Sequence, residues 1–241
     1  TGIHLSSFGV DRETEKIDAN SFVKLQGKYL LTLLKNMAQV EGIERLRLGS
    51  LEPRIITEEF VKNLSEIPEV CPHFHLSLQS GCDETLRRMN RHYTSQDYLQ
   101  RVELLRKYFD HPAVTTDIIV GFPGETQEQH EEVMEFIDTL EFDRLGAFTY
   151  SPEEDTPAAT FEDQIDEEVK KQRRDAIMEL QQEIAFEKAE DMKGRVLEVM
   201  IEGKVADENA FVGRTYKDAP NVDGLIFVNA DVPLMSGDFC R

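Results

Sequence analysis

Asp117 interrupts the apolar run Val114–Val120 (VTTDIIV). A carboxylate withdrawn from water without a partner is costly, so this position predicts strong hydrogen bonds to it. A ribose diol supplies two such donors; a cap on a neighbouring loop is the structural alternative. Directly beyond, Gly121-Phe122-Pro123-Gly124-Glu125-Thr126 leads into a helical pattern, and its glycines let the backbone come close to a ligand. The Lys-Ser/Thr pair of a phosphate-binding loop is missing there, which leaves contact with an adenine edge or simply a tight strand-to-helix turn. In His73–Ser80 (HFHLSLQS), strand parity puts His73, His75, Ser77 and Gln79 on one face and Phe74, Leu76 and Leu78 on the other. A polar face opposite an apolar one points to a ligand cavity, or to a wet interior with hydrogen-bonded side chains. Cys71, His73, His75 and Cys82 match a zinc set in residue type, but a straight strand spreads them too far to meet on one ion. Packed, free thiols are the expectation, with no metal held by this chain.

These groups need elements to hold them. Strand patterns fall at Arg45–Ser50, His73–Ser80, Val114–Val120 and Leu145–Tyr150, with helical patterns at about Phe22–Gln39, Glu58–Ser65, Ser95–Phe109 and Gln127–Leu140. Such alternation implies parallel strands with crossover helices, in a closed or partial barrel or a doubly wound sheet. In either, ligands bind at the carboxyl ends of the strands. Four such ends here are polar or glycine-rich, at Gly49–Pro53, Leu78–Gly81, Val120–Thr126 and Thr149–Pro152, which points to one shared site. After Pro157 the texture changes. Asp166–Met192 reads as one long charged helix ended by Gly194, and alternating stretches separated by turn residues then predict a small antiparallel β module. The expected division is 1–165, 166–192 and 193–241. Thr1–Leu5 begins as though in mid-strand and Gly237–Arg241 ends as a strand opens, so both ends are expected to be truncated.

Composition narrows the class. The 241 residues are 40% hydrophobic and 31% charged, enough to bury a sizeable core. No apolar run approaches the roughly 18 residues of a membrane helix and no signal peptide opens the chain, so a cytoplasmic protein without a membrane partner is expected. Three cysteines are too few for a disulfide scaffold. The net charge is −20, and residues 111–192 hold 23 Asp+Glu against 6 Lys+Arg. Such a surface repels phosphate backbones and attracts basic proteins.

The strand ends resemble those of radical S-adenosylmethionine enzymes, and specifically the methylthiotransferase family, over nearly the whole chain. The marks are Thr1–Gly9 (TGIHLSSFG), Leu48–Pro53 (LGSLEP), Gln79-Ser80-Gly81 followed by Arg88–Arg91 (RMNR), and Asp117–Thr126 (DIIVGFPGET). The resemblance implies an α/β fold: a partial (β/α) TIM-like barrel of the radical S-adenosylmethionine type, followed by a TRAM domain. It also implies that Glu52 and Gln79 contact the amino-acid and ribose parts of S-adenosylmethionine. Arg91 would hold its carboxylate, a task suited to a guanidinium, Asp117 would hold the ribose, and Ser50 and Tyr150 would line the cavity. The chemistry implied is reductive cleavage of S-adenosylmethionine to a radical that removes hydrogen from an unactivated carbon, after which sulfur and a methyl group are installed.

The family's C-x-x-x-C-x-x-C cluster ligands are absent, and Cys71, Cys82 and Cys240 cannot replace them. The chain is therefore expected to be an inactive fragment, with 4Fe–4S clusters belonging to the full-length protein. Residues 1–126 look most like the branch that modifies an adenosine of tRNA. Residues 127–241 look like the branch that modifies an aspartate of ribosomal protein twelve of the small subunit, through Phe142–Ser151, Glu179–Glu183, Val212–Thr215 and Ala219–Gly224. Charge agrees with the second branch. The expected function is thus methylthiolation of a basic ribosomal protein, with tRNA as the alternative partner and a non-catalytic acidic binding module as the rival of another class.

Overall fold

The computed structural model describes residues 5–12, 21–206 and 208–241. The expected mid-strand opening at Thr1–His4 lies outside the described residues. In chain order the helices and strands are α1 (Ser21–Leu25), α2 (Lys28–Ala38), α3 (Glu58–Ser65), β1 (His73–His75), α4 (Asp83–Arg88), α5 (Ser95–Tyr108) and β2 (Ala113–Val120). There follow α6 (Gln127–Leu140), β3 (Arg144–Thr149), α7 (Glu167–Asp191), β4 (Val199–Lys204), β5 (Ala210–Arg214), β6 (Ile226–Asn229) and β7 (Phe239–Cys240).

Helix starts follow local chemistry. Thr57 Oγ1 accepts the Phe60 N–H at the start of α3, and Thr94 with Asp97, like Thr126 with Gln129, forms a capping box that opens α5 and α6. Asp166 accepts the Glu168 N–H at the head of α7. The single helix expected over Phe22–Gln39 is instead two, because Gln26 and Gly27 both have positive φ. At Gly27 a Cβ would sit 2.4 Å from the Phe60 ring, so glycine is needed both for the turn and for the close approach.

β1, β2 and β3 form a parallel sheet, with His75 opposite Thr115 and Thr115 opposite Arg144. The strand expected at Arg45–Ser50 is not a regular one. It touches the segment beside it only at its ends, through the bridges Leu46–Val70 and Leu51–Leu76, but in parallel sense and at the position of a further barrel strand. His73–Ser80 is regular only as far as His75, because the Thr116 hydroxyl enters the ladder, donating to Leu76 O and accepting from Leu78 N. Pairing resumes at Gln79, whose φ of +74° then turns the chain.

The core lies between the sheet's outer face and the helices. Phe74, Leu76, Leu78 and Ile118 pack with Phe60, Leu64, Tyr98, Leu105 and Ile137, all essentially inaccessible. Tyr98 is wholly buried, and its hydroxyl is satisfied by Leu76 O at 3.0 Å.

The last part of the chain is a four-stranded antiparallel sheet in the order β6-β5-β4-β7, curled by an irregularity between Ile201 and Gly203. It docks on the amino-end side of the parallel sheet. Arg45 donates to Glu198 O and Arg214 O, Arg47 to Tyr216 O, Tyr216 Oη to His111 O, and Lys217 Nζ to Asp143 Oδ1 at 2.7 Å. Among the described residues no helix is long and apolar enough to cross a membrane.

Candidate functional site

The inner face of the parallel sheet is its polar face. His73, His75, Thr115, Asp117, Gly146 and Phe148 line a cavity of about 860 Å³ there. Leu48–Ser50 closes one side, and Arg47, bonded to Tyr216 O, closes the amino-end floor with Arg144 and the Ala219–Asp223 stretch of the β module. Gly146 leaves room for this lining, since a Cβ would stand 3.0 Å from both Asp117 Oδ1 and the Phe148 ring.

Asp117 is not buried as its apolar neighbours led us to expect. Its side chain is 44% exposed, with Oδ2 3.4 Å from His75 Nε2. The reason is parity: Ile118 turns into the core while Asp117 turns into the open cavity, so the carboxylate stays wet. His75 Nδ1 lies 3.0 Å from Thr115 Oγ1, which orients the ring.

The six residues expected at the site fall into three places. Ser50 and Asp117 line the cavity. Glu52 lies off the cavity, capping the single turn Pro53–Ile55 by accepting from Arg54 N at 2.9 Å and Arg54 Nε at 2.6 Å. Gln79 and the exposed Arg91 are also outside its lining. The charges of Glu52 and Arg91 both act on Tyr93, whose hydroxyl donates to Ser77 O and Leu78 O just before Gln79. Burial pushes that phenol up to about 12; the positive field of Arg91 works against the shift and the negative field of Glu52 adds to it. Tyr150 is separate again. It packs edge-on against Phe122 at 5.2 Å, below Lys170 Nζ, and its hydroxyl has no hydrogen-bond partner.

The Gly121–Thr126 loop is held as a tight turn. Gly121 N–H donates to Glu125 Oε1, and the buried Arg173 of α7 donates to both Glu125 O and Oε1, the latter at 2.8 Å. Arg88 donates to Pro123 O, and Gly124 N–H to Asp163 O. Burial raises the Glu125 carboxyl, while the Gly121 amide and the Arg173 guanidinium oppose that shift. Lys170, 2% exposed, lies against Gly121, where a Cβ would come within 2.3 Å of its Cγ.

Sequence reasoning missed Arg47, Arg144 and the Ala219–Asp223 floor. Arg47 left a trace, since Arg45 and Arg47 alternate with leucines in RLRLGS. The floor left none, because it reaches the cavity only through tertiary docking. Cys71 and Cys82 are buried, and burial pushes both thiols up toward the protonated form. Among the described residues no three His, Cys, Asp or Glu side chains converge on a metal position. The thiols present therefore do not fit an iron–sulfur cluster, which needs converging thiolates. The cavity does fit an adenosyl-sized group, with the open Asp117 carboxylate able to accept from a diol.

The chain matches the Radical SAM superfamily over residues 23–137 and the TRAM domain over residues 194–241. It is 45% identical over 218 residues, 90% of this chain and 50% of the relative, to ribosomal protein uS12 methylthiotransferase RimO of Lachnoclostridium phytofermentans. To the protein of that name from Desulfitobacterium hafniense it is 43% identical, over 88% of this chain and 48% of the relative. To the tRNA-2-methylthio-N(6)-dimethylallyladenosine synthase of Caldicellulosiruptor saccharolyticus it is 42% identical over 183 residues, 76% of this chain and 39% of the relative. The chain spans about half the length of the uS12 methylthiotransferases it matches.

Proposed function

We propose a function from one premise: the chain belongs to the radical S-adenosylmethionine methylthiotransferase family. Members use S-adenosylmethionine and 4Fe–4S clusters. The protein of which this chain is the barrel and β module adds a methylthio group to an aspartate of ribosomal protein uS12. Residues 1–165 form the barrel domain, 166–192 the linking helix and 193–241 the TRAM domain. S-adenosylmethionine, when bound, supplies the radical that removes hydrogen from the substrate carbon.

The chain's own residues position and seclude. Asp117 accepts the ribose hydroxyls, with Ser50 beside it on the cavity wall. Glu52 and Gln79, beyond the cavity lining, contact the amino-acid and ribose parts of S-adenosylmethionine and Arg91 holds its carboxylate, while Tyr150, packed against Phe122, stands apart from the cavity. The polar inner face presents Asp117, and the β module closes the amino-end floor of the cavity.

The observation that carries the choice of substrate is charge. The excess of 23 acidic over 6 basic residues in 111–192 favours a basic protein and disfavours a phosphate backbone. The uS12-type similarity spans 90% of this chain against 76% for the tRNA-type relative, which supports the same choice. Deleting the gene for this chain is expected to leave uS12 lighter by one methylthio group, with tRNA unchanged, on mass spectrometry. A methylthio group lost from a tRNA adenosine while uS12 stays modified would overturn the proposal in favour of tRNA, the substrate named for the relative that matches 76% of this chain.

A further inference from the structure

The floor of the cavity holds a cation without a counter-ion. Arg47 donates through Nη2 to Tyr216 O at 2.8 Å, while its Nη1 is buried with no hydrogen-bond partner. No carboxylate lies within ion-pairing distance of it among the described residues. Of the acidic groups whose field reaches it, Cys71 is pushed up toward the protonated thiol by burial, and the two carboxylates, Asp223 and Asp218, are otherwise engaged. Asp218 accepts from Thr215 N and Oγ1, Asp223 accepts from Ala219 N, and Arg144 lies 3.6 Å and 3.8 Å from them. They serve to fold the loop and to balance Arg144.

Beside Arg47 on the same floor, His73 is 5% exposed, and neither ring nitrogen makes a hydrogen bond; the nearest carboxylate oxygen, of Asp223, is 4.0 Å away. Both residues line the cavity. A buried guanidinium edge and a buried ring N–H, each lacking an acceptor, are costly to leave so. Water would satisfy their hydrogen bonds but not the charge. An acceptor that is also an anion satisfies both.

We infer that Arg47 and His73 form the seat for the substrate's side-chain carboxylate, inserted from a protein loop into the cavity floor. Asp117 on the wall and Asp223 on the floor disfavour a guest of higher negative charge, and Leu48, Leu145 and Phe148 offer apolar contact to its methylene carbon. This assignment rests on the uS12 reading above and deepens it. A neutral adenine ring would leave the Arg47 charge unmatched.

The test compares two peptides by calorimetry on the intact chain: a uS12 peptide carrying the target aspartate, and its asparagine twin. The aspartate peptide is expected to bind about tenfold tighter, the size of one charge-assisted hydrogen bond. Arg47→Gln is expected to abolish that preference while leaving the asparagine peptide within about twofold, and His73→Asn to reduce it. Equal binding of the two peptides to the unaltered chain would overturn the assignment, as would an Arg47→Gln loss shared equally by both. The first comparison needs no variant, so a poorly folded variant does not protect the inference. Whole uS12 serves as the control for the parent reading. If it binds while the peptides show no preference, the carboxylate seat fails and the uS12 reading stands; if it does not bind at all, the uS12 reading fails.

Discussion

His73 sets two effects against each other. A carboxylate of Asp223 lies 4.0 Å away, which favours the imidazolium, but burial and the Arg47 charge favour the neutral ring. Burial is the larger, and the ring is pushed down from 6.5 to about 4. The unfolded chain therefore takes up a proton that the folded chain refuses, and stability falls as pH drops through 6.5, levelling off below about 4. The loss from this one group is about 3 kcal/mol. His130 is also lowered, first by burial, and acts in the same direction. Urea denaturation between pH 7.5 and 4 is expected to show this acid loss, and His73→Asn to flatten it by about half or more. An unchanged slope in the variant would show that the ring is already charged when folded. At this scale the sequence was partly legible. Alternation alone put His73, His75, Ser77 and Gln79 on a polar face, because side-chain direction in a strand is a local property. It did not tell whether that face was dry, and Asp117, set between isoleucine and threonine, is in fact 44% exposed.

Among the elements, α7 has the least expected role. Its apolar stripe is sparse, yet it buries Lys170, Arg173, Ile177, Gln181 and Ile184 against the sheet. Polar residues do much of the anchoring. Lys170 Nζ donates to Tyr150 O, Gln181 to Phe142 O, and Arg173 to Glu125, so one helix fixes the loops that follow β2 and β3 and the turn that leads into β3. With side chains 8% and 2% exposed, Arg173 and Glu125 are each costly to leave alone. Arg173→Met is expected to destabilise by about 3–5 kcal/mol, and the double change with Glu125→Gln to cost less than the two singles combined, by about 1 kcal/mol or more. Chemical denaturation of the four proteins checks this, and strict additivity would mean that the pair is not coupled. The helices themselves were legible because their signals are local: α3 and α6 occupy the expected residues, each opened by a threonine cap. The Arg45–Ser50 strand was misjudged because regular pairing depends on a neighbour, and that neighbour bonds to it only near Leu46 and Leu51.

At the scale of the whole molecule, the β module is joined to the barrel by polar contacts, and it supplies the cavity floor. Lys217 and Asp143 form a bond across this junction with side chains 18% and 8% exposed, and Asp143 also accepts the Val114 N–H of β2. Lys217→Met is expected to cost about 3 kcal/mol by stranding the Asp143 carboxylate. Because that residue also supports the floor, the variant should weaken the preference for the aspartate peptide. A stability loss without loss of preference would mean that the floor is held by its other contacts.

The acidic middle of the chain acts over a longer range. Ser151–Asp155 is wholly exposed and includes Glu153, Glu154 and Asp155, and the charge of the surrounding region is far from balanced. Charges so placed contribute little to a fixed contact but raise the rate at which an oppositely charged partner arrives. Association of uS12 with the chain is therefore expected to slow about tenfold from low to moderate salt, with dissociation nearly unchanged. Replacing Glu153, Glu154 and Asp155 by lysine should reproduce part of that slowing at low salt and flatten the salt dependence. Stopped-flow mixing of labelled uS12 separates the two rates. An association rate indifferent to salt would remove charge as the reason for preferring a basic protein. Faster capture of tRNA than of uS12 by the unaltered chain would reverse the choice of substrate.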